Sequence, residues 1–359
     1  MGKNKSKKQP EQLPFISVCT PTYNRRPFIP FMIKCFEHQT YPKDRIEWII
    51  VDDGTDPIGE LVTHIPQVKY FLLPEKLDLG KKRNYMHEKC TGEIIVYMDD
   101  DDYYPPERFS HAVQTLLDNP KCLIAGSSTM FIYFKHISQM YQAGPYGPNH
   151  ATAATFAFRR RLITQTKYED TALLAEERKF LKNYTLPLVQ LDPKKTILVF
   201  SHAHNTFDKK KMLENPANCL LKVSPVTVEE LMPSQEMQQF YVRDIDTLLD
   251  AYQDGRPENK PRLLDEIKRM ETERREMAIK QMEFARAQQM VMEKFNSVPV
   301  PPAPVPVPQM EQMRQQYEKQ LSDKNYLIGE LMKKIKDLNS ELDRLRQPPV
   351  SLEITEKSA

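Results

Sequence analysis

The sequence predicts an α/β fold with a mainly parallel, doubly wound sheet over roughly its first 220 residues, followed by a helical and coiled-coil C-terminal extension. Three observations predict it. From Phe15 to about Leu221, short apolar runs alternate with amphipathic stretches, the pattern of βαβ units. Beyond about Pro225 the chain turns Met-, Glu-, Gln- and Arg-rich with no strand pattern, in a protein that holds only 10 glycines. At 359 residues the chain also exceeds one ordinary domain of roughly 100–250 residues, so two regions of different character are expected.

Taken in order, the strand candidates are Phe15–Thr20, Ile46–Asp52, Val68–Leu73, Ile94–Asp99, Leu123–Phe134, Thr152–Arg159 and Thr196–His202. Helical segments lie between them at Pro27–His38, Leu79–Cys90 and Pro105–Leu117, the last opened by prolines suited to a first helical turn. Lys260–Phe295 reads as a charged helix whose methionines suit a partner-binding surface, and Ser297–Pro308 as an extended proline-rich spacer. Beyond it, Leu321, Ile328, Ile335 and Leu342 recur every seven residues, with Leu331, Leu338 and Leu345 in the alternate positions. Ile at a with Leu at d favours a parallel two-stranded coil, although Lys324 breaks the d series. The expected organisation is therefore a basic tail (1–12), the α/β domain (13–222), a helical extension (223–296), a linker (297–308), a homo-oligomerising coiled coil (309–347) and a flexible tail (348–359).

Charge and cysteine usage narrow the class. A formal net charge of +2 gives no basic surface for nucleic acid. Five scattered cysteines without a Cys-x-x-Cys pair read as reduced thiols of a cytoplasmic protein. No apolar run approaches the roughly 20 residues that span a bilayer, and no secretory signal is present. The start, Met1-Gly2-Lys3-Asn4-Lys5-Ser6, fits the spacing for N-myristoylation, and Lys7 and Lys8 follow. One acyl chain plus a basic cluster is what reversible membrane anchoring needs.

Three constellations carry chemistry. Thr20-Pro21-Thr22-Tyr23-Asn24-Arg25 follows an apolar strand, at the strand end where α/β sheets bind ligands. Ile49-Ile50-Val51 leads into Asp52-Asp53-Gly54-Thr55, where a carboxylate can accept from a base or ribose or simply build an Asp-Gly turn. Ile94-Ile95-Val96-Tyr97-Met98 runs straight into Asp99-Asp100-Asp101-Asp102. Adjacent carboxylates repel unless a cation offsets them, and a hard divalent ion shared with phosphate oxygens answers that need.

These motifs, with Gly80-Lys81-Lys82-Arg83-Asn84, make residues 13–222 resemble a family 2 glycosyltransferase of the GT-A, Rossmann-like fold. The resemblance implies a metal-dependent, hexosyltransferase-like enzyme that uses a nucleotide-sugar donor, UDP by family habit, with Mn²⁺ or Mg²⁺ as cofactor. It implies donor contacts from Thr20, Pro21, Tyr23, Arg25, Asp52, Asp53, Arg83, Asp99 and Asp100, and metal contacts from Asp99 and Asp101. His202 and His204 resemble the late histidine with which some relatives touch metal or diphosphate, and His204 is the one assigned. Where the family carries a Glu-Asp pair with its catalytic base, this chain has Glu176-Glu177, so Glu177 is the expected base and Glu176 its alternative. Asn149–Arg161 would line the acceptor site, for a glycan, lipid or protein hydroxyl. The implied reaction is inverting transfer with no covalent intermediate.

Two other classes remain. A nucleotidyltransferase would carry a Gly-rich, basic loop after its first strand, and Thr20–Arg25 holds no glycine. A non-catalytic scaffold that oligomerises through the coiled coil is left open by the Glu-Glu departure from the family pair.

Overall fold

The computed structural model describes residues 12–214, 219–296 and 307–345, and the chain divides into two units between residues 278 and 279. The first unit opens with β1 (Ile16–Thr22), α1 (Ile29–Glu37), β2 (Ile46–Asp52), the single turn α2 (Gly59–Val62), β3 (Val68–Leu72), α3 (Leu79–Lys89) and β4 (Ile94–Tyr97). These strands pair in parallel in the order β3-β2-β1-β4. β2 is buried at every position and β1 at every position but Pro21. Strands covered on both faces read as continuous apolar runs, which is why they were legible.

Next come α4 (Arg108–Asp118), β5 (Ile124–Gly126), β6 (Met130–Phe134), β7 (Gln139–Ala143), β8 (Ala157–Arg159), the single turn α5 (Glu177–Phe180), β9 (Val189–Gln190), β10 (Leu198–Ser201) and β11 (Leu221–Val223). β8, β5 and β9 complete a seven-stranded sheet, β3-β2-β1-β4-β8-β5-β9, in which only β8 runs antiparallel to its neighbours. The expected α/β class with a Rossmann-like, mainly parallel sheet is thus observed. β10, β6, β7 and β11 form a second, four-stranded sheet.

The run Leu123–Phe134, expected as one strand, is two strands in two sheets. Between them the Ser127 hydroxyl donates to the Thr129 carbonyl (2.6 Å) and accepts from the Thr129 amide (3.2 Å). These local bonds replace ladder bonds and turn the chain. Thr152–Arg159 likewise yields only β8, because Ala153–Thr155 is a 3-10 turn.

The compact unit also runs past residue 222. α6 (Val228–Leu231), opened by a Thr227/Glu230 capping box, is followed by α7 (Gln235–Gln238), a π-helical turn at Gln239–Asp244 and α8 (Ile245–Ala251). Val226, Leu231, Phe240, Tyr241 and Leu249 join the same core as Ile16 and Trp48. The boundary expected at 222 therefore falls inside the packed domain. This segment is amphipathic in short turns, with no long period to betray that it folds back.

α9 (Pro261–Asn296) and α10 (Val307–Leu345) follow. α10 starts before the expected linker end at Pro308, a residue tolerated in a first turn. Along α10, Leu321, Ile328, Leu331, Ile335 and Leu338 are all exposed. The expected myristoylation site at Gly2, most of the linker (297–306) and the tail from 346 lie outside the described residues. Among the described residues no helix is long and apolar enough to cross a membrane, and all five cysteines are free.

Candidate functional site

A cleft opens at the carboxyl ends of β1, β2 and β4, where the sheet order reverses between β1 and β4. Open α/β sheets bind ligands at such switch points. The parallel register sets Thr22 opposite Asp52, so the loops that leave β1 and β2 run side by side. Asn24 ties them together. Its backbone is left-handed (φ 51°), a conformation asparagine tolerates, and its Oδ1 accepts from the amides of Thr55 (2.8 Å) and Asp56 (3.1 Å).

The expected site residues separate into those that face the cleft and those that build it. Pro21, Tyr23, Arg25, Arg83, Asp99, Asp100 and Asp101 line the cleft. Thr20 does not reach it: its hydroxyl is fully buried, donates to the Met98 carbonyl (2.6 Å) and accepts from the Trp48 indole (2.9 Å), joining three strands. Asp52 is turned inward as well. Its Oδ1 accepts from the Gly54 amide (2.9 Å), and its Oδ2 from the Ile58 amide (3.0 Å) and the Tyr70 hydroxyl (2.7 Å). The turn-building alternative is therefore the one realised for Asp52. Asp53 is held by the Lys82 ammonium and the Leu77 amide (2.8 Å), with Lys82 also donating to the Thr22 carbonyl (2.9 Å).

The acidic run does not form one cluster. Arg25 lies between Asp100 (3.6 Å) and Asp101 (3.5 Å), and Arg83 lies 3.8 Å from Asp99. Burial, then the neighbouring Asp101 charge, pushes the Asp100 carboxyl up to about 7. For Asp101 burial acts in the same upward direction, but a hydrogen bond from His202 and the charge of Arg25 outweigh it and hold the carboxyl below the usual range. Asp102 faces the core instead, accepting from the Phe200 amide (3.4 Å), while its carbonyl accepts from the Tyr241 hydroxyl (3.1 Å).

The two histidines also divide. His202 Nε2 stands 3.2 Å from Asp101 Oδ2. His204, the residue assigned as metal ligand, does not line the cleft and sits instead in a separate cavity with Leu249 and Arg256. The turn after β10 sends residues two apart in opposite directions, which sequence spacing cannot decide.

α3 organises the far side. A Cβ on Gly80 would lie 1.9 Å from the Glu169 carbonyl oxygen, so glycine alone lets α3 approach the segment that leads to the acidic pair. Asn84 then binds both the carbonyl (3.0 Å) and the amide (3.0 Å) of Tyr168, and Arg83 Nε donates to Glu176 Oε1 (2.8 Å). Glu176 is thus a buried partner of Arg83. Glu177, the first residue of α5, has no ion pair among the described residues, and burial with the Glu176 charge pushes its carboxyl up to about 7. Left-handed residues bracket the pair, Ala175 (φ 50°) before it and Lys182, Asn183 and Tyr184 (φ 51°, 55° and 61°) after it. Such residues cost about 1–2 kcal/mol each outside glycine. The turn is held down by Phe180, whose ring stacks on Tyr168 (4.4 Å between centroids). Within the expected acceptor segment, His150 stacks on Tyr184 and meets a tilted Tyr146 ring, at 4.9 Å from each.

A hard divalent cation fits the donor set of the acidic run only in part. Asp99 Oδ1 and Asp100 Oδ2 are buried carboxylate oxygens with no hydrogen-bond partner, the kind of acceptor a cation would satisfy. Among the described residues no three acidic, His or Cys side chains converge on one point, so a bound ligand's own oxygens would have to complete the shell. Lys76, Thr206, Lys260 and Leu263 also line the cleft and were not expected to. No local motif marks them.

The fold and site define an α/β domain with carboxylates and cations gathered at its strand ends. Residues 17–170 match the sequence pattern of Glycosyl transferase family 2, and this domain belongs to that family. An uncharacterized glycosyltransferase of Haemophilus influenzae is 29% identical over 120 residues, 32% of this chain and 47% of that protein. The poly(ribitol-phosphate) β-N-acetylglucosaminyltransferase TarS of Staphylococcus aureus is 31% identical over 102 residues, 27% of this chain and 18% of that one. The chain thus spans less than half the length of these curated relatives. Among solved structures, TarS 1–349 in complex with UDP-GlcNAc aligns at 22% identity with a TM-score of 0.43, over 52% of this chain and 58% of that one. The Pyrobaculum calidifontis mannosyltransferase PcManGT, in complex with GDP-Man and Mn²⁺, aligns at 17% identity with a TM-score of 0.43, over 68% and 78%.

Proposed function

We propose that the protein is an inverting glycosyltransferase that moves a sugar from a nucleotide-sugar donor, UDP-linked by family resemblance, to an acceptor hydroxyl. One observation carries this reading: the two adjacent glutamates are made chemically different, Glu176 paired to Arg83 and Glu177 unpaired with its carboxyl raised to about 7. A general base works best when its affinity for a proton lies near the working pH. Glu177 takes the proton of the acceptor hydroxyl, and Arg83 with Glu176 positions it. Tyr23, Arg25 and Arg83 contact the donor. Asp99 and Asp101 would hold Mn²⁺ or Mg²⁺, which would supply charge stabilisation to the leaving diphosphate. The Tyr146, His150 and Tyr184 rings, the last of which feels the Glu177 charge, belong to the acceptor side, for a glycan, lipid or protein.

Nucleotide-sugar hydrolysis and UDP and GDP binding, each with and without Mn²⁺, test the reading on wild type and Asp101→Ala. Metal-dependent binding or turnover that disappears in the variant is expected. Absence of any nucleotide binding in the presence of metal would leave the scaffold reading instead. The exposed Ile and Leu seam of α10 supports homo-oligomerisation, which an Ile335→Asp variant should convert to monomer in light scattering. The Gly2 motif, with the lysines after it, supports a lipid-assisted membrane contact of a cytoplasmic protein, and incorporation of labelled myristate lost in Gly2→Ala checks it.

A further inference from the structure

Between α8 and α9 the chain crosses back over the cleft. Residues Tyr252 to Leu263 touch the loops that follow β1, β2 and β3. The Asp254 carbonyl accepts from Asn24 Nδ2 (3.0 Å), and the Tyr252 hydroxyl donates to Asp56 Oδ2 (2.8 Å). Arg262 grips Asp78 with both terminal nitrogens (2.8 and 3.1 Å). A Cβ on Gly255 would lie 2.5 Å from the Asn24 carbonyl oxygen, so the segment lies directly on the β1 loop.

This strap delivers Lys260, which is only 7% exposed, into the cleft. Its ammonium stands 5.2 Å from the centre of the Tyr23 ring, and the Lys76 ammonium faces the same ring at 4.6 Å. The other cations of the cleft have partners: Lys82 has Asp53, Arg83 has Glu176 and Asp99, and Arg25 has Asp100 and Asp101. Lys260 and Lys76 have neither a hydrogen bond nor an ion pair among the described residues; burial, then Arg25 and Lys76, act against the Lys260 charge, while Asp100 and Asp101 favour it. Lys260 is buried and Lys76 is exposed beside it, and two unpaired ammoniums flanking one aromatic face at a strand-end cleft suit a doubly charged anion. Lysine serves such anions as a mobile point charge.

We propose that Lys260 is a phosphate-binding residue of the donor site, supplied by a strap that lies beyond the residues matched by the family pattern. The ligand chemistry it takes is the diphosphate of a nucleoside diphosphate or of a nucleotide sugar. The proposal rests on the nucleotide-sugar reading above, but it concerns the anion alone.

The test is calorimetric binding of UDP, GDP, the two parent nucleosides and inorganic pyrophosphate to the full chain, as wild type, Lys260→Gln and Lys260→Arg. A charge-assisted contact of this kind predicts about a tenfold or greater loss of nucleoside diphosphate and pyrophosphate affinity in Lys260→Gln. Nucleoside affinity should stay unchanged, and Lys260→Arg should recover most of the loss. Equal loss for nucleosides and diphosphates would make Lys260 a prop for the strap and overturn the proposal, as would unchanged diphosphate affinity. Pyrophosphate binding that depends on Lys260, without binding of either nucleotide, would keep the anion site and remove the nucleotide-sugar reading. No binding of any of these ligands by wild type would remove both.

Discussion

The two walls of the cleft are built by different means. One wall grows out of β1, β2 and β4, whose parallel register places Thr22 beside Asp52 and carries the acidic run to the same edge. The other wall begins at Leu173 and continues into the irregular segment around Glu176 and Glu177, neither of which lines the cleft itself, where four left-handed, non-glycine residues are kept in place by side-chain ties. The difference teaches where the molecule is stiff. Sheet register is set by a whole ladder of hydrogen bonds, so no single side chain decides it. The acidic turn stores local strain that the Arg83, Asn84 and Phe180 contacts help offset.

If the walls do separate in this way, substitutions on the second should alter chemistry without altering nucleotide affinity. The largest effect is expected for Glu177→Gln, a fall in kcat of about 10²–10⁴-fold. Steady-state transfer rates alongside nucleotide titrations check it, and a parallel loss of affinity would break the comparison. Arg83→Met would leave the Glu176 carboxylate buried and uncompensated, at about 3–5 kcal/mol of stability in denaturant unfolding. A cost below about 1 kcal/mol would show that Glu176 simply turns to water.

The pH dependence sharpens the role of Glu177. With its carboxyl raised to about 7 in the folded state, kcat/KM should rise with pH through about 7 as the base loses its proton. The sign for stability is opposite. Between the ordinary value of 4.5 and about 7 the folded chain binds a proton that the unfolded chain has released, so this group's contribution to stability falls as pH rises. Glu177→Gln should therefore gain more in Tm over wild type at pH 8 than at pH 5, and an equal gain at both would contradict the raised carboxyl. The smallest effect belongs to the strap: Tyr252→Phe deletes one hydrogen bond to Asp56 and should cost about 1 kcal/mol in thermal unfolding.

Much of the first wall was legible because each motif is contiguous and sits where a buried apolar run stops. The errors lie in the direction of single side chains. Thr20 and Asp52 belong to the expected loops, yet their oxygens are consumed by the Met98 carbonyl and by the turn after β2. His202 and His204 differ by two positions, and a turn aims the first at Asp101 and the second away from the cleft. The second wall was legible only as a pair of acids at the right place in the chain order. That Arg83 takes one of them and leaves the other free was not.

From the amino-acid order alone came the α/β class, the strand ends with their motifs, the change of character after about residue 225 and the seam of α10. All of these depend on patterns within a few residues of one another, which local sterics and solvent exclusion impose. Tertiary structure alone decided that Val226–Leu249 joins the core, that Glu176 and Glu177 differ, and that Lys260 enters a cleft begun more than two hundred residues earlier. Such contacts are stabilised by burial and charge summed over distant segments, and no local period records them.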